Sequence, residues 1–359
     1  MNRACRMLAA IIAVTVATTA QAQETVFRAK GNGSGSLVIA SVTDLVAIRP
    51  LLDGFLERFP DLEVTYRQMQ SLELYRAAKD ACGSGEPFAD IVISSAIAEQ
   101  VKLVNDGCAA QLTVALPSTH PQWAQWQNSL VGMTFEPAVI VYDREAFPSG
   151  DVPQNRFDLV DLLRQTERFE GKVGTYDIER SGVGYMFAFQ DEYQASTWGR
   201  LLEGLGRNRV KLFPSSSDII DRVADGRLAI GYNVLGSYAM ARQEADPRIG
   251  IVFPEDYTIV LSRAAFIPEN ALNAVAANAL IEFSVSPEGQ KLLAGSARLF
   301  SPGAGPGLLS AYLRERGIAF NAEALRPIAF SPRLLASLDR VKLRIFLEQW
   351  NKSVNPDAQ

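Results

Sequence analysis

Between residues 37 and 107 short apolar runs alternate with segments of helical period, and this alternation constrains the fold more than any other feature of the chain. LVIAS (37–41) reads as a strand, and Thr43-Asp44 offer a cap for the helical pattern LVAIRPLLDGFLERF (45–59). Pro60-Asp61 stop that helix before a second strand, LEVTYRQ (62–68). Ser71 is expected to cap the helical LELYRAAKDAC (72–82), which Gly83-Ser84-Gly85 breaks. ADIVIS (89–94) is a third strand. Ser95 is then expected to cap AIAEQVKLVNDG (96–107), where Gly107 stands as a helix-ending glycine. The order β-α-β-α-β-α predicts an α/β fold with a doubly wound, mainly parallel sheet.

A second α/β unit follows. The run at 138–142 is β-like and suits a strand crossing between two lobes. Residues 157–172 are helical, VGTYD (173–177) is a strand, and 181–206 read as one helical stretch. Ser217 is expected to cap the helical DIIDRVADG (218–226), and RLAIGYNV (227–234) is a strand. Residues 250–268 are β-like, 270–295 helical with a break near Ser286-Pro287, and 334–354 amphipathic and helical. The length of 359 residues fits roughly two domains. The formal charge of −5, without any Lys/Arg cluster, argues against nucleic acid, whose binders need a basic stripe to displace counterions. A single histidine, His120, leaves little room for histidine-based catalysis, and no G-x-S-x-G elbow is present. No apolar run reaches the roughly 18 residues of a membrane span.

Residues 1–22 have the three parts of an export signal. Arg3 and Arg6 are basic, Met7–Ala17 is an apolar core, and Ala20-Gln21-Ala22 is a cleavage site. The mature chain is therefore expected to start near Gln23 and to reside in the periplasm. Residues 23–36 are rich in Gly and Ser and read as a flexible lead-in. Cys5 departs with the leader. In an oxidising compartment Cys82 and Cys108 are expected to pair, two buried thiols being the alternative. Closing their loop of roughly 25 residues stabilises by about 3 kcal/mol in the chain-entropy model. Two cysteines and one histidine cannot make a structural zinc site by themselves.

Four segments together resemble the periplasmic solute-binding proteins of ABC importers. They are LVIASVTDLVAIRPLLDGFLERFPDLEVTY (37–66), ADIVISSAIAEQVKLVNDG (89–107), IIDRVADGRLAIGYNVLGSYA (219–239) and AANALIEFSVSPEGQKLL (276–293) with its S-P-E-G-Q step. Their order and spacing are similar to the branch with ferric-iron binders, sugar-phosphate binders and phosphoglycerate-sensing regulatory proteins. The resemblance implies a two-lobed, type II periplasmic binding protein joined by crossing strands. Lobe 1 would hold 37–137 and 258–359, the latter with the C-terminal helices, and lobe 2 would hold 138–257. It also implies a non-enzymatic, monomeric receptor without a cofactor, which delivers a solute to a membrane permease or signals to a membrane sensor kinase of a two-component system.

Ligands of open α/β sheets sit beyond the strands' carboxyl ends, where helix N-termini favour anions. The candidate contacts in the first lobe are Ser41 and Thr43, with Asp44 set aside because it would repel an anion, and the adjacent Ser94 and Ser95. In the second lobe they are Thr175, Arg180, Ser181 and Gly182, where Arg180 would pair with an oxyanion and glycine admits close backbone approach. Tyr232, Asn233 and Ser237 follow the strand IGYNV, in a region where the resemblance places ligand contacts. Iron-binding relatives use adjacent tyrosines with a histidine and an acidic residue. Here Tyr232 and Tyr238 lie six apart, and His120 sits in a Pro-flanked loop beside Trp123 and Trp126. These departures put a phosphorylated or carboxylated metabolite ahead of ferric iron or an iron chelate, and no metal ligand is assigned.

Overall fold

The computed structural model describes residues 23–33 and 35–354; the leader expected at 1–22, with Cys5, lies outside them. The first lobe follows the alternation in the sequence. Strands β1 (Gln23–Phe27), β2 (Gly35–Ser41), β3 (Leu62–Gln68) and β4 (Ile91–Ser94) are joined by helices α1 (Leu45–Arg58), α2 (Ser71–Ser84) and, after β4, α3 (Ile97–Asn105). β2 pairs in parallel with both β3 and β4. The residues expected as a flexible lead-in instead supply β1, which runs antiparallel to β3 from Gln23↔Gln68 to Phe27↔Val64. The open edge of β3 provides the ladder, Phe27 packs against the lobe's core, and Arg67 pairs with Glu24.

After the short strands β5 (Gln125–Trp126) and β6 (Leu130–Gly132) the chain crosses into β7 (Glu136–Asp143) of a second sheet. Strands β8 (Val173–Tyr176), β9 (Lys211–Phe213), β10 (Ile230–Leu235), β11 (Ile249–Val252) and β12 (Thr258–Leu261) complete most of it. The intervening helices are α4 (Arg156–Leu162), α5 (Thr166–Phe169), α6 (Gly182–Gln194), α7 (Trp198–Arg207), α8 (Ser216–Ala224) and α9 (Gly236–Ala245). The stretch 181–206 is thus two helices, separated at Ala195–Thr197. The chain returns through Ser262-Arg263 into β13 (Ala264–Phe266), which lies between β4 and β6.

The two crossings are stitched to each other. Met133 N donates to Arg263 O (2.7 Å), Arg263 N to Thr134 Oγ1 (2.9 Å), and Thr134 N to Ser262 Oγ (3.2 Å). Helices α10 (Ala274–Val285) and α11 (Pro287–Ala294) then pack on α1. Ser286 caps α11 by accepting from Gly289 N (3.1 Å), which marks the S-P-E-G-Q break.

The tail binds the lobes a third time. After α12 (Gly305–Glu315), strand β14 (Leu325–Pro327) adds to β12 of the second sheet. The turn Pro332–Leu338 lies on α3 of the first lobe while Ser337 O accepts from Tyr185 OH of α6. Helix α13 (Arg340–Val354) packs on α7, with Trp198 stacked against Phe346 and Trp350 at 6.2 and 6.0 Å. Residues 258–261 and the last helix therefore lie with the second lobe. Separate cores fill the outer layers, around Leu52 and Phe283 in the first lobe and around Phe169 and Leu201 in the second. A disulfide joins Cys82 near the end of α2 to Cys108 just past α3, with Cα atoms 5.3 Å apart.

Candidate functional site

A cavity of about 70 Å³ lies between the lobes, at the carboxyl ends of the parallel strands. The starts of α1, α2 and α3 reach it from the first lobe, and the starts of α6 and α8 from the second. Asp44, Gln70 and Ala96 hold the N-cap positions of the three first-lobe helices, and none makes a side-chain cap. Among the described residues, α1 alone of the three has its first N–H served from elsewhere, Leu45 N donating to Gln68 Oε1 of β3 at 3.0 Å. In the second lobe both helices are capped: Ser181 Oγ accepts from Gly184 N (3.3 Å), and Ser215 Oγ from Asp218 N (3.1 Å).

Hydroxyls that the sequence presents as caps serve other ends. Ser71 Oγ accepts from Gly182 N across the cleft at 2.8 Å. Ser217, which is not the cap of α8, donates across the cleft to Asp44 Oδ2 at 2.9 Å. Asp44 also accepts from Gln68 Nε2 at 2.7 Å, and its backbone N–H reaches Tyr238 OH at 3.2 Å. These bonds draw the lobes together over the cavity. Gly182 is needed at this approach, since a Cβ there would stand 2.7 Å from Ala96 Cβ.

Arg263, on the return crossing, lines the same cavity while 3% exposed. Its Nη1 donates to Thr43 Oγ1 (3.0 Å) and its Nη2 to Glu136 Oε2 (3.1 Å), and Nε lies 2.7 Å from Glu136 Oε1. Burial works against the guanidinium's charge, but Glu136, with smaller help from Tyr238 and Asp44, more than offsets it and holds the pKa above its ordinary value. Glu136 also accepts from Thr134 Oγ1 (2.8 Å) and Ser237 Oγ (2.6 Å). Burial pushes Tyr238 up to about 12, so its hydroxyl stays neutral beside Arg263.

Of the residues singled out from sequence, Ser95 and Ser181 line the cavity. Ser41, Thr43 and Ser94 lie beneath it. Ser41 Oγ accepts from Thr43 N and Ser94 Oγ from Ala96 N, each at 3.0 Å, and both turns shape the strand-to-helix corners. The structure does not bring the others to the lining. Thr175 Oγ1 donates to Tyr232 O (3.1 Å) and ties β8 to β10. Arg180 points to solvent, because the turn before α6 leaves it outside the cap formed by Ser181. Tyr232 and Asn233 turn away into a buried cluster, donating to Asp191 Oδ2 at 2.7 and 2.6 Å. There Asp191 also pairs with Arg156 (3.2 Å) and accepts from Tyr257 OH (2.7 Å). This cluster secures the irregular turn of β10 between Gly231 and Val234, where Asn233 has φ 57°. Ser237 faces Glu136. His120 Nε2 lies 3.0 Å from Ala124 O, and Trp123 packs edge-on to Phe135, both away from the lining. Among the described residues no group of three or more His, Cys, Asp or Glu could hold a metal ion.

The sequence reading missed Gln68, Gln70, Ser71, Ser216, Tyr238 and Arg263 as cavity residues, and it set Asp44 aside. The run Pro214-Ser215-Ser216-Ser217 was the available signal, because one helix needs one cap and the further hydroxyls had no local duty.

The model of a family described as bacterial extracellular solute-binding protein matches residues 51–306. A search of curated proteins finds no match. Among solved structures, the substrate binding protein of an ABC transporter from Agrobacterium tumefaciens is 37% identical. It matches over 94% of this chain and 100% of its own, with a TM-score of 0.86. The periplasmic binding protein AfuA from Actinobacillus pleuropneumoniae, with fructose-6-phosphate bound, is 16% identical over 89% of this chain and 99% of its own, TM-score 0.71. Iron-bound HitA from Pseudomonas aeruginosa is 15% identical over 89% and 99%, TM-score 0.65. Two lobes closed over a polar cavity, with this family match, make the chain a member of the bacterial extracellular solute-binding proteins of ABC transporters, a binding protein and not an enzyme.

Proposed function

We propose that the protein captures a small phosphorylated or carboxylated solute in the interlobe cavity and presents it, in the periplasm, to the membrane permease of an ABC importer. One observation carries the reading. The starts of α2 and α3 reach the cavity with no side-chain cap, and Ser71, Ser95, Ser181 and Ser216 surround them. Helix N-termini carry a partial positive charge and N–H groups that suit oxyanion oxygens. The protein is acidic overall, so this attraction is local to the helix ends and not a long-range field. Neighbours of the same fold have been seen with fructose-6-phosphate and with iron. This cavity offers hydroxyls and amides in place of a metal-binding cluster, which favours the former kind of solute.

Thermal melting against phosphosugars, phosphoglycerate, dicarboxylates, neutral sugars and ferric ion tests the reading. A bound solute at 100 times its dissociation constant should stabilise by about 2.7 kcal/mol. The expected result is a shift with an anionic compound that weakens in Ser95→Ala. Shifts with neutral sugars or ferric ion alone would overturn it.

A further inference from the structure

Asp44 and Arg263 are the two charged residues among those lining the cavity, and their charges are not equivalent. Arg263 donates to Glu136 through Nη2, and its Nε lies in ion-pair contact with the same carboxylate, so its charge is matched from behind. The Asp44 carboxylate is met by neutral donors, Gln68 Nε2 and Ser217 Oγ, and it is only half-buried. With Arg263 neutralised, the side chains around the cavity sum to one negative charge. A simple anion entering at the starts of α2 and α3 would gain from the helix ends but would meet that charge beside an Arg263 already paired with Glu136. A carboxylate can accept roughly four hydrogen bonds, and Asp44 receives two from side chains, one of them from the opposite lobe.

We infer that Asp44 is a specificity residue: it admits anions that also carry a hydrogen-bond donor, a hydroxyl or an ammonium group, and rejects anions that carry none. The inference rests on the anionic reading above and adds a second requirement to it. The donor takes the acceptor capacity that Gln68 and Ser217 leave on Asp44, and the acidic end lies at the helix starts. Solutes of this class are hydroxylated phosphates, hydroxy acids and amino acids. A donor aimed at Asp44 converts a repulsive group into a charge-assisted hydrogen bond, whereas a donor-free anion leaves the repulsion in place.

Three matched pairs test this by calorimetry on the mature protein: glycerol 3-phosphate with propyl phosphate, malate with succinate, and 4-aminobutyrate with butyrate. The expected result is at least tenfold tighter binding of the donor-bearing member in at least one pair, the size of a hydrogen bond to a charged group. Asp44→Asn should narrow the gap chiefly by tightening the donor-free member, and Asp44→Ala should close it. Ligand-free melting curves of the two variants establish that each is folded. If in every pair that binds both members bind wild type alike, or if both variants keep the gap, Asp44 does not select and the anionic reading survives. If no member of any pair binds, and only neutral sugars or metal ions do, the anionic reading fails and this inference fails with it.

Discussion

The two lobes treat the same local problem differently. Each sends helices to the cavity from strand ends, and each has serines just before them. In the second lobe Ser181 and Ser215 cap their own helices. In the first lobe Asp44, Ser71 and Ser95 leave the helix starts without side-chain caps, and Asp44 and Ser71 take bonds from the opposite lobe. A capped helix start is finished on its own. An uncapped one facing a closed cavity is finished by what enters, or by the other lobe. The contrast implies a second lobe that is internally complete and a first lobe whose polar groups are held for the solute and for closure.

The sharpest way to break the comparison is at the joint between the lobes. Arg263→Ala would leave Glu136, fully buried, without its cation, although Thr134 and Ser237 would still donate to it. Removing one partner of a buried pair costs about 3–5 kcal/mol. Chemical denaturation should show a loss of that size together with loss of solute binding, because Arg263 also holds Thr43. A loss below about 1 kcal/mol would show that the joint does not depend on the pair.

A smaller effect is expected where α3 meets α6. Glu99 is buried, its Oε2 has no hydrogen-bond partner, and a Cβ at Gly182 of the second lobe would stand 3.2 Å from its Oε1. Burial pushes its carboxyl up to about 7. Tyr185 and Tyr75 face it, while Arg333 on the turn above α3 is bonded to Tyr193. An acid whose pKa is raised on folding binds its proton more tightly in the folded state. Stability should therefore fall as pH rises from the unfolded value near 4.5 to about 7, and the full penalty should persist above that. The span corresponds to roughly 3 kcal/mol at most. Glu99→Gln, neutral at every pH, should remove this slope and melt higher than wild type at pH 8. Parallel melting profiles for the two proteins would place the proton elsewhere.

The sequence shows the first lobe's order plainly because apolar runs and helical periods alternate there with clear stops at Pro60, Gly85 and Gly107, Gly83 itself lying inside α2. It hides β1, since Gln23–Phe27 leads into a Gly/Ser-rich run and gains its structure only from the open edge of β3. The cavity was half legible. Ser95 and Ser181 sit at helix starts, where the general rule for α/β sheets directs attention. Arg263 was out of reach, because it meets Thr43 from 220 positions away, across a crossing that local patterns do not encode. Arg180 lies outside the cavity for the opposite reason: it is adjacent to a helix start in sequence, yet Ser181 makes the cap and Arg180 remains in solvent. Asp44, Ser71 and Ser217 match the local pattern of a cap, and only the arrival of the other lobe changes their partners.

The finest test of the contrast pairs a serine from each lobe. Ser215→Ala removes a cap from α8, a helix otherwise packed by Ile219 and Val223, and should cost about 1 kcal/mol of stability. Ser95→Ala removes no cap, because Ala96 holds the cap position and its N–H goes to Ser94 Oγ. Its melting temperature without solute should stay near wild type, within the ±0.5 kcal/mol usual for a change that breaks no structural bond. Binding should reverse the order. Ser95 lines the cavity at the start of α3, so its loss should weaken an anionic solute by roughly 1–3 kcal/mol, the range for a hydrogen bond to a charged group. Ser215 lines the cavity too, but its hydroxyl is committed to Asp218, accepting from its N–H and donating to its carboxylate at 2.7 Å. Its loss should therefore change affinity less than Ser95's. If both variants lose stability equally and affinity equally, the lobes do not divide the work, and the serines at both sets of helix starts are simply caps.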